Sequence, residues 1–318
     1  MKMFQKLMPD MLALPAIAAI VASCTANNRV SVYVAGYEEN ESGTHVAKIW
    51  KNGVAQALSN GTDDACATFV YVSDSDVYVA GHENEVATLW KNGVAQTLSK
   101  PADGEGSAVA NALYVSSGDV YVAGHENEVA MLWKNGVAQP LSTDAEENNA
   151  EAYAVCVSGN DVYVAGHKNE AAVLWKNGVA QTLSKPADES DAVAYSLCVS
   201  NGDVYVAGYE NDVAMLWKNG AAQALSGDAK SAEALFVCVT DGDVFVAGTK
   251  DDVATVWKNG VAQTLADGTE ARAVYVQGSD VYVAGCEGAV AKVWKNGVAQ
   301  ILSDSTSANA CACSVAVK

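Results

Sequence analysis

The sequence lacks the hydrophobic run that a membrane-spanning helix requires. A bilayer core is crossed by about 20 consecutive apolar residues, and none of the 318 residues belong to a run of that length. Positive charge is also scarce, because 19 Lys and Arg stand against 38 Asp and Glu, giving a net charge of −19. Such a surface repels a polyanion. Nucleic acid is therefore excluded as a partner.

Short motifs that carry well-known chemistry are missing as well. The chain has no GxSxG nucleophile turn, no HExxH metal motif, no phosphate-binding loop and no basic aromatic patch. Each of these motifs supplies a defined chemical group at a fixed spacing. Their absence leaves no catalytic residue to predict from a motif, and the repetition of the chain becomes its strongest feature.

One stretch, DVYVAGHENEVATLWKNGVAQTLS at 76–99, recurs with small changes six more times. All seven tryptophans stand in the same tetrapeptide WKNG, at successive intervals of 40, 43, 42, 42, 40 and 37 residues. A period of about 40 to 45 residues with several short strands per unit is typical of propeller blades. Helical repeats of similar length would need a 3.6-residue periodicity, which these units lack.

Each unit is predicted to contain four short strands, which we name A to D. The A strand has the pattern AxAxxVYVS, the B strand contains VYVAG and the C strand ends in LW, and these patterns are rich in β-branched and aromatic residues. Asn92-Gly93 supplies the two positive-φ residues of a tight C–D hairpin. Ser117-Gly118 and Glu83-Asn84 are typical of the other two turns. The unit is therefore predicted to be an antiparallel meander.

The two ends of the chain are predicted to close a ring. The first unit, 30–59, has B, C and D strands but no A strand, and the chain ends with a lone A strand at 308–317. Pairing of the last strand with the first unit would remove both open edges. We therefore predict an all-β fold: a seven-bladed β-propeller of four-stranded antiparallel blades, closed by the C-terminal strand completing the first blade. It is expected to form one domain, 30–318, and a monomer.

The first residues are predicted to be an export signal. Lys2 and Lys6 precede an apolar run at 11–22, which ends in the tetrapeptide VASC at 21–24. This pattern resembles the signal peptide and lipobox of bacterial lipoproteins. The resemblance implies a signal peptide at 1–23, lipidation of Cys24 and a lipidated tether at 24–29, while Thr25 in place of aspartate favours the outer membrane. An ordinary cleaved secretory signal is the alternative.

The VYVAG and LWKNG segments together resemble the highly repetitive propeller lipoproteins of Gram-negative bacteria, and the likeness covers the chain after the signal. It implies a lipoprotein of the cell envelope, and the lack of an acidic cluster after Cys24 favours the periplasmic side of the outer membrane. It implies no reaction and no site residues. The WD dipeptide, the kelch glycine doublet and the DxDxDG calcium loop of better-known propellers are absent. No cofactor is predicted, with a divalent cation as an open alternative.

The cysteines and tryptophans are predicted to be structural. Seven cysteines follow Cys24, an odd number that cannot form a complete set of intramolecular disulfides. Cys156, Cys198 and Cys238 take a repeat position that is tyrosine in other units, which favours packing. Cys311 and Cys313 lie two apart on one strand, a poor geometry for a disulfide, and a metal site built on them lacks a second ligand pair. The tryptophans are expected between blades rather than exposed for stacking on sugars.

The predicted topology sorts the charges onto two faces. The A–B and C–D turns share one face with the lysines of the WKNG segments, which are Lys51, Lys91, Lys134, Lys176, Lys218, Lys258 and Lys295. Most acidic residues fall on the opposite face, formed by the B–C turns and the long D–A loops; we call it the acidic face. We expect the lysine face to lie toward the membrane and the acidic face to bind a glycan, a divalent cation or a basic protein. Solubility alone is the alternative role of the acids.

Candidate ligand-binding residues are acids and histidines of the acidic face: Asp63, Asp64, Asp103, Glu105, Asp188, Glu189, Asp191, His82, His125 and His167. The histidines are expected on solvated turns, too far apart to share one metal ion. Repetition favours a non-catalytic binding or scaffold protein, because similar sites suit multivalent binding. The alternatives are an envelope hydrolase or lyase with a site at the mouth of the central channel, and a multivalent glycan-binding lectin.

Overall fold

The computed structural model describes residues 30–101, 106–142, 149–185, 191–227, 229–303 and 309–318. Contacts divide the chain into two units, Met1–Val30 and Ser31–Lys318, and the fold described here is that of the second. The predicted signal peptide, the tether and Cys24 lie outside the described residues. Within the described ranges, no helix is long and apolar enough to cross a bilayer.

The described residues form 28 strands arranged in seven four-stranded sheets. In chain order the strands are β1 Val32–Glu39, β2 His45–Lys51, β3 Val54–Ala57, β4 Ala65–Ser73, β5 Asp76–Glu83, β6 Val86–Lys91, β7 Val94–Ser99, β8 Ala108–Ser116, β9 Asp119–Glu126, β10 Val129–Lys134, β11 Val137–Pro140, β12 Ala150–Ser158, β13 Asp161–Lys168, β14 Ala171–Lys176, β15 Val179–Ser184, β16 Ala192–Ser200, β17 Asp203–Glu210, β18 Val213–Lys218, β19 Ala221–Ala224, β20 Ala232–Thr240, β21 Asp243–Lys250, β22 Val253–Lys258, β23 Val261–Thr264, β24 Glu270–Gln277, β25 Asp280–Glu287, β26 Val290–Lys295, β27 Val298–Ile301 and β28 Ala310–Val317.

The C-terminal strand completes the first blade. Six sheets follow chain order, from β4–β7 to β24–β27, whereas the seventh has the order β28-β1-β2-β3. Strand β28 runs antiparallel to β1, with Val317 opposite Val32 and Ala310 opposite Glu38. The predicted seven-bladed propeller and its closure are thus confirmed. We number the closing sheet blade 1 and the others blades 2 to 7, and the A strands are β28, β4, β8, β12, β16, β20 and β24.

The C–D turn of every blade is built by the Asn-Gly pair of WKNG. The asparagines have φ of 51 to 52° and the glycines 79 to 81°, which is the positive-φ pair predicted for this hairpin. The Asn92 side chain also accepts a hydrogen bond from Val77 N at 2.9 Å and donates one to Asp76 Oδ1 at 2.8 Å. Asparagine therefore ties the C–D turn to the start of the B strand.

The tryptophans lie between blades, as predicted. All seven are at most 1% exposed. The described residues contain seven clusters of buried side chains, each with one tryptophan and each joining two neighbouring blades. Trp90 of blade 2, for example, shares a cluster with Tyr33, Ala35 and Ile49 of blade 1. The same tetrapeptide thus supplies a turn and an inter-blade contact in each repeat.

Each A strand carries a β-bulge that depends on the glycine of VYVAG. In blade 4, Ala152 lies opposite Gly166 and Ala154 opposite Ala165, so Tyr153 has no partner in the ladder. A Cβ on Gly166 would overlap the carbonyl oxygen of Glu151, and only glycine permits this approach. The register shift recurs in all seven A strands. It lets two successive side chains of one strand face the channel.

Replacement of Trp175 by alanine is predicted to cost about 3 to 5 kcal/mol of the free energy of unfolding, because it leaves a cavity between blades. Val179→Ala is the control, since Val179 is 72% exposed and its loss should change stability by no more than about 0.5 kcal/mol. Denaturant unfolding of both variants measures the difference. Equal destabilisation would contradict the inter-blade role of the tryptophan.

Candidate functional site at the mouth of the central channel

The A strands surround a channel that holds a cavity at each end. Phe69 of blade 2 and Phe236 of blade 6 stack with their ring centroids 6.2 Å apart, and both side chains line both cavities. The cavity at the starts of the A strands, on the acidic face, has a volume of about 350 Å³, and the other has about 320 Å³. We call the first the mouth cavity. Its volume lies within the range of about 300 to 1,000 Å³ found for small-molecule sites.

The mouth cavity is lined at positions where the repeats differ. The bulged position of the A strand contributes one wall residue from each of blades 1 to 7: Cys313, Thr68, Asn111, Tyr153, Tyr195, Leu235 and Arg272. Two positions earlier, the blades carry Cys311, Cys66, Val109, Glu151, Val193, Glu233 and Glu270. Departures from the repeat are therefore concentrated here. Seven similar blades enclose one asymmetric site.

One side of the mouth cavity is aromatic. The rings of Tyr153 and Tyr195 meet edge to face with centroids 5.3 Å apart. Behind them, His167 stacks on Tyr153 at 5.7 Å and Tyr209 stacks on Tyr195 at 5.8 Å. Burial raises the pKa of Tyr153 and of Tyr195 well above the usual range, so both hydroxyls stay protonated. This side offers fixed ring surfaces and neutral hydroxyl groups.

Two carboxylates on the aromatic side differ in their pairing. Oε2 of Glu151 lies 3.3 Å from Nδ1 of His125, and this imidazole lowers the pKa of Glu151. Glu233 is half-buried in the cavity wall, and desolvation raises its pKa. The described residues provide Glu233 with no hydrogen bond or ion pair. Its carboxylate is thus available to a ligand.

The opposite side of the mouth cavity combines a guanidinium group with thiols. Arg272 Nε donates to Glu270 Oε2 at 2.9 Å. Cys66 and Cys313, on neighbouring A strands, share a hydrogen bond that raises the pKa of Cys66. The same hydrogen bond, with the charge of Arg272 nearby, lowers the pKa of Cys313 to about 7. This side therefore holds a cation and a cysteine that ionises near neutral pH.

The predicted histidines lie in strands, not in turns. His82, His125 and His167 are the penultimate residues of β5, β9 and β13, because each B strand continues past its glycine to pair with the A strand. His167, for instance, lies opposite Glu151. The side chains of His82 and His125 are only 24% and 13% exposed. The expectation of solvated turns is therefore wrong.

The described acidic candidates stand around the mouth cavity without converging on one point. Asp64 is exposed and lies 3.3 Å from Nδ1 of His45 and 4.0 Å from Nε2 of His82. Asp191 accepts a hydrogen bond from the hydroxyl of Tyr209, and Asp63 is exposed. Four further candidates lie outside the described residues: Asp103, Glu105, Asp188 and Glu189. The described acids form an outer ring in separate blades.

Sequence reasoning missed most residues that line the mouth cavity. Tyr153, Tyr195 and Arg272 each directly follow an alanine that all seven A strands share, and Glu233 directly precedes it. An alignment of the repeats shows these positions as the variable ones. Their common orientation could not be read from alternation, because the bulge breaks the period of two.

The lysine face is nearly neutral because its lysines are paired. Lys91 Nζ lies 2.8 Å from Asp76 and 5.0 Å from the ring centre of Tyr78. The lysine–aspartate pair recurs at 2.7 to 2.8 Å in blades 2 to 7. In blade 1, Lys51 lies over Tyr33 and has no carboxylate partner among the described residues. The orientation of this face toward a membrane stays a prediction.

The second cavity is lined by the cysteines that were predicted to pack. Cys156, Cys198 and Cys238 are half-buried free thiols in its wall, and each packs against an inter-blade cluster. Desolvation raises the pKa of Cys156 and of Cys238 to about 11. All seven cysteines in the described part of the chain are free. These three thiols are therefore protonated at neutral pH.

Gly166→Ala is predicted to destabilise the protein by about 3 kcal/mol or more, since a Cβ there would overlap backbone that cannot move aside. Gly227→Ala is the control, because a Cβ at Gly227 meets no atom within 4 Å and should change stability by less than about 0.5 kcal/mol. Thermal and denaturant unfolding measure both. Equal stability of the two variants would contradict the claim that the bulge requires glycine at position 166.

Thiol labelling is predicted to be fastest at Cys313. The pKa of Cys313 is lowered by its hydrogen bond with Cys66 and by Arg272, whereas desolvation raises the pKa of Cys156, and the thiolate is the form that reacts. Cys313→Ser should remove the fast phase of alkylation, and Cys156→Ser should leave it intact. Mass spectrometry of labelled peptides identifies the site. Equal labelling rates at Cys313 and Cys156 would contradict the assignment.

No protein-family profile matches the chain, and no curated protein matches its sequence. Solved structures match it by fold. The extracellular domain of a candidate one-component system from B. thetaiotaomicron has a TM-score of 0.51 at 10% identity, covering 79% of this chain and 37% of that one. A candidate 6-phosphogluconolactonase from Bacteroides uniformis has a TM-score of 0.54 at 14% identity, covering 91% and 99%.

A puromycin-hydrolysing peptidase from Mycobacterium tuberculosis matches with a TM-score of 0.55 at 12% identity, covering 86% of this chain and 51% of the peptidase. The chain thus spans only about a third to a half of the length of two of these three structures. At such low identity the likeness concerns the fold alone. The chemistry of the site has to be argued from the residues of this chain.

Proposed function

We propose that this protein is a non-catalytic, lipid-anchored binding protein of the cell envelope, and that its acidic face takes a small organic cation into the mouth cavity. The observation that carries the proposal is Glu233. It is a half-buried carboxylate in the wall of a cavity of about 350 Å³, without a partner among the described residues. A buried carboxylate is costly unless a positive charge or hydrogen-bond donors meet it.

Glu233 is the carboxylate of the mouth cavity that a cationic ligand is expected to contact, because the other two carboxylates have partners. Glu151 lies next to His125 and Glu270 accepts a hydrogen bond from Arg272, so both of these carboxylates already have a partner within the protein. A positively charged nitrogen is therefore drawn to Glu233. The nearby tyrosine rings of the aromatic side add cation–π attraction, which is strongest where water is excluded.

The charge of the whole chain supports a cationic ligand. A net charge of −19 raises the local concentration of cations and speeds their association. Asp64 and Asp191, in the outer ring around the cavity, add to this field at its entrance. The acids predicted as ligand residues thus act by attraction over distance, while Glu233 makes the contact.

The location rests on the N-terminal pattern. Lipidation of Cys24 on the periplasmic side of the outer membrane would leave the propeller tethered near the bilayer. With the lysine face toward the membrane, the mouth cavity would open away from it. A ligand in the aqueous space would then reach the cavity freely.

A second candidate function is an enzyme acting at the same cavity. The asymmetry of the wall favours it, because catalysis needs one constellation of different groups, and Cys313 with a pKa of about 7 next to Arg272 is a potential nucleophile. Two propellers of similar fold are a candidate lactonase and a peptidase. The multivalent lectin alternative loses the tryptophans as stacking surfaces for sugars, since all seven are at most 1% exposed.

Glu233→Gln is predicted to weaken binding of an organic cation by about tenfold or more, because the partly buried carboxylate that attracts the positive charge is lost. Choline, tetramethylammonium and putrescine serve as probes in calorimetric titrations, with glucose as a neutral comparison. Glu41→Gln is the matched control, because Glu41 is an exposed acid of the same face, and its removal should leave affinity unchanged. An equal loss of affinity in both variants would contradict a specific contact with Glu233 and would indicate that only the overall negative charge attracts the cation.

The pH dependence tests the same residue. Only ionised Glu233 attracts a cation, and burial raises its pKa above the usual 4.5. Affinity should therefore fall as the pH drops through that raised pKa, and Glu233→Gln should abolish this dependence. The variant should also melt at a higher temperature at neutral pH, because a raised pKa means that the ionised carboxylate destabilises the fold. The proposal fails if none of the three cations binds. Catalytic turnover that depends on Cys313 would instead favour the second candidate function, an enzyme acting at this cavity.

A further inference from the structure

Two cysteines and a glutamate converge at the seam between blades 7 and 1. Glu270 lies in β24, Cys286 in β25 and Cys311 in β28. A carboxylate oxygen of Glu270 and the two sulfur atoms all lie within 4.8 Å of one another. Cys286 Sγ is 3.6 Å from Glu270 Oε2. Three side chains that carry soft or charged donor atoms thus meet at one point.

The fold brings these side chains together by two routes. Glu270 lies directly opposite Cys286 in the antiparallel ladder of blade 7. Cys311 comes from the closing strand, which is hydrogen-bonded to β1 on the other side of the seam. Cys286 and Cys311 are only 5% and 2% exposed. The cluster is therefore held by two sheets, and its two thiols are shielded from bulk water.

We propose that Glu270, Cys286 and Cys311 form a binding site for a divalent transition metal, with Zn²⁺ as the ion that fits the donor set. Thiolate sulfur and carboxylate oxygen are both ligands of zinc, which prefers four ligands in a tetrahedron. Soft thiolates disfavour Mg²⁺ and Ca²⁺, which take oxygen ligands. Three protein ligands leave one position for water or for a ligand.

The charges around the cluster match a divalent ion. Two thiolates and one carboxylate carry three negative charges, and a divalent metal supplies two positive ones. The remaining negative charge is balanced by Arg272, whose Nε donates to Glu270 Oε2 at 2.9 Å. Outer partners of this kind orient a metal ligand and tune the site. A monovalent ion would leave a buried charge uncompensated.

Metal binding at this site requires both thiols to lose their protons. Their sulfur atoms lie within 4.8 Å of each other and of a carboxylate oxygen of Glu270. Thiols bind metals as thiolates, so a metal displaces both protons, and its affinity rises with pH. The same pair could instead be oxidised to a disulfide by an exchange partner that carries a disulfide, which the experiment distinguishes.

The CACS segment provides only one of the three ligands, Cys311. The other two, Glu270 and Cys286, come from blade 7. Glu270 also belongs to the wall of the mouth cavity. A metal bound here would therefore stand beside the cavity, without using Glu233 or the tyrosines of the aromatic side.

Zinc binding is measured on the purified protein, reduced and free of metal, by competition with a chromophoric chelator. We expect one Zn²⁺ per chain at this site, an increase of the melting temperature with zinc, and thiolate-to-metal absorption when Co²⁺ replaces Zn²⁺. Cys286→Ser and Cys311→Ser should each weaken binding by about 100-fold or more, and Glu270→Gln by about 10- to 100-fold. Release of about two protons per ion is expected where both thiols are protonated in the metal-free protein.

Two cysteine variants serve as matched controls. Cys198→Ser removes a thiol at the other end of the channel, and Cys66→Ser removes one from the second thiol pair, so both should bind zinc like the parent protein. An equal loss of zinc affinity in Cys66→Ser would show that the metal does not bind at the proposed ligands. The absence of a cobalt–thiolate absorption band would also overturn the proposal. So would a reduced protein that binds no zinc but forms a Cys286–Cys311 disulfide with oxidised glutathione. Glu233→Gln should keep zinc binding, which separates this site from the amine site.

Discussion

The close approach of each B-strand glycine to the carbonyl of the neighbouring A strand is the constraint on which the channel depends. The seven glycines Gly36, Gly81, Gly124, Gly166, Gly208, Gly248 and Gly285 all face a backbone oxygen where a Cβ would overlap. Because the strands come so near, each A strand bulges there and turns an extra side chain inward. A repeated backbone feature thus creates seven inward-facing positions that the sequence is free to vary.

The repeat contains positions that are nearly constant, which lie between blades and on the outer surface, and positions that vary, which face the channel. We call the first set the outer frame and the second the inner wall. Tryptophan, the Asn-Gly turn and the lysine–aspartate pair recur from blade to blade and account for packing, turn geometry and surface charge. Substitution within the frame would disturb an inter-blade cluster. Substitution in the inner wall changes only what faces the channel, where a cavity accommodates different side chains. Tyr153, Glu233 and Arg272 therefore stand in one site although their blades are nearly alike.

Much of the fold follows from the sequence, because the period, the Asn-Gly turns and the unpaired terminal strands each have a local physical meaning. The site does not follow in the same way. The histidines were expected in turns, yet His167 lies in a strand because β13 continues to pair with β12. Glu233 and Arg272 were missed because a bulge shifts alternation by one residue. Contacts across the channel join residues from distant repeats, and nothing in their spacing indicates which of them meet.

The seam between blades 7 and 1 is where the first and last strands complete the ring. Strand β28 reaches it as the final segment, held by its ladder with β1 and by the cluster around Trp50. Cys311 of that strand stands within 4.8 Å of the donor atoms of blade 7. A metal that binds only the folded ring would stabilise it by about 2.7 kcal/mol at a free concentration 100 times its dissociation constant. Strand β28 would then both close the propeller and supply a metal ligand. Metal binding would therefore stabilise the closed ring at the seam between blades 7 and 1.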